Sequence, residues 1–138
     1  MASAMKFTLV EPDGWKAPKG YANGVLVEGA GKLLHVAGQI AWDANQQLVG
    51  RGDFAAQFEQ ALANVCAVVR AAGGEPAHLV KMTVYVVDKR AYLAAVKPCG
   101  DAWKRHVGRH WPAMALVQVA DLLEDGALVE IEAVAALA

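Results

Sequence analysis

Asp53-Phe54-Ala55-Ala56-Gln57-Phe58-Glu59-Gln60-Ala61-Leu62-Ala63-Asn64-Val65-Cys66-Ala67-Val68-Val69-Arg70-Ala71-Ala72-Gly73-Gly74 is the stretch on which the fold turns. Apolar residues recur at Phe54, Phe58, Ala61, Leu62, Val65, Val69 and Ala72, the spacing of one helical face. Asp53 is an N-cap type whose carboxylate can accept from the free N–H groups of a first turn, and Gly73-Gly74 stops the pattern. The spacing predicts a helix over about residues 53–72, roughly 28 Å long at 1.5 Å per residue and able to cover a sheet.

Beyond it, Glu75-Pro76 makes a turn and His78 to Val87 reads as a β-branched strand. Val80, Met82, Val84 and Val86 face one way, and Lys81, Thr83, Tyr85 and Val87 the other. Asp88 can open a second helix with the stripe Leu93, Val96, Gly100, Trp103 and Val107. Pro98 lacks an N–H and crowds the preceding turn, so a kink or break is expected near residues 97–100. Ala113 to Val119 and Leu128 to Ala136 are strands separated by the turn Glu124-Asp125-Gly126. In the latter, Val129, Ile131 and Ala133 share one face, and Leu128, Glu130, Glu132 and Val134 the other.

On the N-terminal side, Asp43-Ala44-Asn45-Gln46-Gln47 is a polar reversal after the strand Leu33–Ile40. Gly29-Ala30-Gly31-Lys32 is a tight turn joining that strand to Val25-Leu26-Val27-Glu28, which predicts a hairpin. Two turn clusters, Glu11 to Gly14 and Ala17 to Gly20, leave room before them only for a short strand after Phe7. Strands flanking two helices make an α+β or α/β layer, with the helices on one face of a four- to six-stranded sheet. The far face then carries Thr83, Tyr85, Glu130 and Glu132, too apolar for water and too polar for a dry core. Self-association that covers half-polar sheets and closes their edges predicts an oligomer.

The 138 residues suit a single domain spanning 1–138, with 56% hydrophobic and 20% charged residues. No apolar run approaches the roughly 18 residues of a membrane span, and the first residues lack a signal-peptide pattern, so a cytoplasmic protein is expected. A net charge of −1 lacks the basic footprint that phosphate backbones select, which argues against nucleic acid as a partner. Cys66 and Cys99 fall in no zinc or disulfide spacing and read as small buried hydrophobes. His35, His78, His106 and His110 show no metal spacing, since nothing completes a set with His106 and His110.

Taken in order, Val36-Ala37-Gly38-Gln39-Ile40, Gln57, Ala61-Leu62-Ala63-Asn64-Val65, Ala71-Ala72-Gly73-Gly74, Val80 to Val86, Pro112-Ala113 and Leu128 to Ala135 resemble the RidA/YjgF family of reactive-intermediate deaminases. The match runs from about Tyr21 to the C-terminus. The resemblance implies an α+β, chorismate-mutase-like fold: a mixed sheet of about six strands, two helices on one face, and a homotrimer with a central β-barrel and ligand clefts between subunits. It further implies hydrolysis of enamines and imines to a carbonyl product and ammonia without a cofactor. The family's C-terminal-strand carboxyl aligns with Glu130, its early tyrosine with Tyr21, and the glycine of its Ser-Gly-Gln with Gly38, whose missing side chain lets a ligand approach the backbone.

The departures are as informative. Family deaminases carry an arginine after Pro-Ala that forks onto the substrate carboxylate; this chain reads Pro112-Ala113-Met114. Losing that charged pair weakens binding of a small 2-imino acid by on the order of 10- to 100-fold. The serine before Gly38 is replaced by Ala37, and the asparagine of the second helix falls near Lys97. Met114, Ala115 and Leu116, with Trp42 and Trp111 near them, predict a drier and larger pocket suited to a bulky or aromatic-pathway intermediate. Lys97, Arg105 and Arg109 are candidate replacement anchors, while Cys99 has no base or cation beside it to make it a nucleophile. The expected function is a divergent enamine/imine deaminase with Glu130 as catalytic group; the alternative is a trimer that binds a small molecule without turnover.

Overall fold

The computed structural model describes residues 4–138. Its elements run β1 (Lys6–Val10), β2 (Gly24–Glu28), β3 (Lys32–Gln39), α1 (Phe54–Ala71), a 3-10 turn (Pro76–His78), β4 (Leu79–Val86), α2 (Lys89–Ala94), α3 (Val96–His106), β5 (Ala113–Gln118) and β6 (Val129–Leu137). The fold is mixed α+β, as expected, with six strands and three helices among the described residues.

The strands do not share one sheet. β3, β6, β4 and β5 form a four-stranded sheet in that order, and β1 and β2 pair separately as an antiparallel ribbon. The hairpin expected between β2 and β3 is therefore not formed. Instead β3 pairs with β6, Lys32 facing Leu137 and Val36 facing Ala133, and the Gly31 N–H donates to the Leu137 carbonyl at 3.0 Å. The nine-residue β6, buried along its inner face, is a longer and drier partner than the five-residue β2, and burial outweighs the local turn. β6 lies inside the sheet between β3 and β4, both antiparallel to it; β4–β5 is the parallel pair.

α1 caps as the sequence requires, with Asp53 Oδ1 accepting from the Ala56 N–H at 3.1 Å. Its face buries Phe54, Phe58, Ala61, Leu62, Val65 and Val69 against Met82, Val84 and Val86 of β4 and Val129, Ile131 and Ala133 of β6. Ala72, expected in that stripe, is exposed because the helix ends at Ala71 and Gly73 turns away at φ +89°. Each large side chain of the stripe contributes roughly 1.5–3 kcal/mol by leaving water. Gln57 is fully buried in the same face, donating to the Gly50 and Gly126 carbonyls at 3.2 and 3.0 Å and accepting from the Leu128 N–H at 2.8 Å. It ties the loop before α1 to the start of β6.

The second helix breaks at Ala95, two residues before the expected interval, giving α2 and α3. The break leaves Pro98 in the first turn of α3, where an N–H would have no helical partner, so the ring is accommodated without a kink. It also rotates the buried face. Cys99, Ala102 and Trp103 face inward, whereas Leu93, Val96 and Gly100 of the expected stripe are exposed.

Candidate active site

β6 alternates cleanly, Val129 and Ile131 into the core and Glu130 and Glu132 onto the opposite face of the sheet. Glu130 is half-buried and sits opposite Tyr85 in the β4–β6 register. On its other side β3 carries a bulge, where three steps from Val36 to Gln39 oppose two from Ala133 to Ile131. Bulges re-aim local backbone, and this one turns Gly38 onto the Glu130 side chain so closely that a Cβ there would collide with the carboxylate. The Gln39 amide closes the bulge by donating to the Ala37 carbonyl at 3.0 Å. Tyr85 completes the cluster, its hydroxyl donating to Glu132 Oε1 at 2.5 Å. That hydrogen bond, together with the negative charge of Glu132 and Glu130, pushes the Tyr85 phenol above its ordinary value and keeps it a donor. Beside Glu132 a depression of about 230 Å³ is lined by His35, Lys81 and Thr83.

Met114 and Leu116 lie on the other side of the sheet. Their register partners on β4 are Met82 and Val84, which point to the helices, so both side chains share that layer. There they border a groove of about 380 Å³ between β5 and the pair α2 and α3. Tyr92, Trp103 and Trp111 give it aromatic walls, Phe58 and Val84 its floor, and Cys99 a buried flank. Burial pushes the Cys99 thiol up to about 11, so it is protonated near neutral pH. The Trp103 indole N–H donates to the His110 carbonyl at 3.1 Å, and His110 Nε2 lies 2.6 Å from the Leu79 carbonyl, which pins the linker entering β5. The Ala22 N–H donates to the Pro112 carbonyl at 3.1 Å, so the segment Lys19-Gly20 runs along the groove's rim.

The expected site residues thus fall into two groups within one chain. Gly38 and Glu130 meet on one face; Met114 and Leu116 meet on the other, with Gly20 beside them. Ala115 is exposed, and its register partner is Thr83 of the outer face, so it does not join Met114. Tyr21, 42% exposed, immediately precedes the Ala22–Ala113 bridge at the start of β5. Trp42 is engaged with Leu48 in a separate bridge and does not line the groove. Of the candidate anchors, Lys97 pairs with Asp101 at 3.1 Å and Arg105 with Glu59 at 2.7 Å, while Arg109 is exposed and does not line the groove. Among the described residues no cluster of His, Cys, Asp and Glu could hold a metal ion, and no helix is long and apolar enough to cross a membrane. Sequence reasoning missed Tyr85 as the neighbour of Glu130, and Lys19, Trp103 and Lys104 as groove residues.

Residues 14–137 match the family described as Endoribonuclease L-PSP. The chain belongs to that family. It is the RidA/YjgF family of the resemblance, and a solved structure of a conserved Rid-family protein of unknown function from Yersinia pestis superposes with a TM-score of 0.83 at 37% identity, covering 95% of this chain and 98% of that one. Among RidA/YjgF relatives, the 2-iminobutanoate/2-iminopropanoate deaminase of Salmonella typhimurium is 37% identical over 83% of this chain and 88% of its own. The goat protein of the same name is 36% identical over 83% and 78%.

Proposed function

We propose that this protein is an enamine/imine deaminase whose substrate is bulkier than the small imino acids named for its relatives, acting in a cleft between the subunits of a homotrimer. The observation that carries this is Glu130, held half-buried against a side-chain-free wall at Gly38. An enamine first takes a proton from solvent on carbon, giving the iminium ion. Water then adds to the iminium carbon as the Glu130 carboxylate takes one of its protons, leaving a neutral carbinolamine. The carboxyl returns that proton to nitrogen, the C–N bond breaks to release ammonia, and the hydroxyl proton passes through the freed carboxylate back to solvent as the carbonyl forms. Because Glu130 and the Met114 groove lie on opposite faces of one sheet, a second copy is what unites them: Glu130 and Gly38 would face the groove of a neighbour, with that neighbour's Tyr21 beside its rim. The uncovered half-polar face bearing Thr83, Tyr85 and Glu132 supports such an assembly.

The test is ammonia release from a panel of enamines and imines generated in situ. The wild-type protein should accelerate it for aromatic or branched members, and Glu130→Gln should lower the rate about 10²- to 10⁴-fold. Equal rates for the two proteins across the panel would sink the reading. A second reading, a trimer that binds without turnover, draws support from Met114 and Ala37 at the positions of the family arginine and serine; saturable binding with no ammonia release would favour it. Ribonuclease action, which the family description names, is not adopted for a chain of net charge −1.

A further inference from the structure

The groove beside Met114 has an electrostatic character that its apolar lining conceals. Among the residues that border it, Lys19 and Lys104 carry the only charges, and no carboxylate is present. Basic residues elsewhere on α3 are neutralised: Lys97 by Asp101, and Arg105 by Glu59 through two hydrogen bonds of 3.1 and 2.7 Å. Neither Lys19 nor Lys104 makes an ion pair or a side-chain hydrogen bond among the described residues, so two uncompensated ammonium groups stand at the rim of an aromatic cleft. Two like charges on exposed side chains above a low-dielectric wall raise the positive potential there. Deeper in, Met114 can offer a carboxylate nothing, whereas the Trp103 and Trp111 rings and Leu116 offer it an apolar body's worth of contact.

We propose that Lys19 and Lys104 are the specificity-determining residues of this groove, recognising the carboxylate of a ligand whose aromatic or branched body lies inward against Trp103, Trp111 and Met114. This rests on reading the groove as half of the substrate site. The arrangement sets an orientation: the charged end points outward, and the carbon next to the carboxylate lies at the opening rather than on the floor. A deaminase acting on a 2-imino acid reacts at that carbon, and the opening is where a group from another subunit can reach it. The volume of about 380 Å³ is more than a three- or four-carbon acid fills, so it suits a longer molecule held by Lys19 and Lys104 at the rim.

Calorimetric titration of the intact protein with 3-phenylpropanoate, 3-phenylpropanamide and butanoate separates the two components. The aromatic carboxylate should bind about tenfold more tightly than its amide or than butanoate. Lys19→Gln and Lys104→Gln should each weaken the carboxylate about fivefold and leave the amide unchanged, which also reports that the groove is intact. Lys104→Arg should preserve the preference. Equal affinities of acid and amide for the wild-type protein, or unaltered acid binding in both glutamine variants, would overturn the proposal. Because the readout is binding, absence of turnover would remove the deaminase reading and leave this one standing, and the reverse outcome is equally visible.

Discussion

A methyl group added at Gly38 would occupy the volume of the Glu130 carboxylate. Gly38 has no positive φ, so its requirement is steric, and Gly38→Ala should rotate Glu130 off its position while leaving the sheet paired. The expected outcome is a fall in deaminase rate of about 10²-fold with a melting temperature close to that of the wild type; a fall in both together would mean that the bulge itself has failed. At this scale the sequence was legible where a residue type has one chemical use. One glutamate of a same-face pair on an alternating strand and a glycine in the matching β3 segment could be singled out through the family resemblance. Alternation put Tyr85 on the same face as Glu130 but not beside it, because that pairing follows from the register of β4 on β6, which no local pattern encodes. Lys19 and Lys104 were hidden for a related reason: 85 positions apart in sequence, they meet only across the groove.

Between elements, α1 and α3 are joined on the surface by Glu59, which accepts from Arg105 at 2.7 and 3.1 Å and lies 3.1 Å from His106 Nε2. The Arg105 hydrogen bonds, followed by that of His106, hold the Glu59 carboxyl below the ordinary glutamate range. A carboxyl whose value is lowered on folding stabilises the fold above its ordinary value, and the gain is lost as pH falls through the lowered one. Denaturant midpoints for wild type and Glu59→Gln should therefore differ at neutral pH and converge under strongly acid conditions; a constant gap would show that the ion pair is not the cause. The exposed pair makes the difference small. The helices and all six strands were readable from periodicity, caps and turn clusters. The β2–β3 hairpin was misread because turn chemistry is a local signal, and the partner that won lies about a hundred residues downstream. The second helix was misread by a few residues because proline is forbidden only beyond the first turn, and placing the break at Ala95 satisfies that rule without bending anything.

For the molecule as a whole, the separation of Glu130 from the Met114 groove makes shared sites the central expectation. Glu130→Gln leaves the groove whole, and Leu116→Glu places a repelling charge in it. Each variant alone should be inactive. Unfolded together and refolded, they should regain measurable ammonia release, because some clefts then combine an intact Glu130 with an intact groove from another chain. No recovery in demonstrably mixed oligomers would mean that each chain carries its own complete site.

The inner position of β6 bears on how the molecule comes to be folded at all. Lys32 pairs with Leu137, so β3 and β4 have no common neighbour until the final strand of the sheet has been synthesised and threaded between them. Contacts of such long sequence separation slow folding into the millisecond-to-second range typical of non-local sheets, about as long as the ribosome takes to add a few more residues. Until then α1 holds its apolar stripe over an unfinished layer, and this stretch of the nascent chain is the one a chaperone would meet.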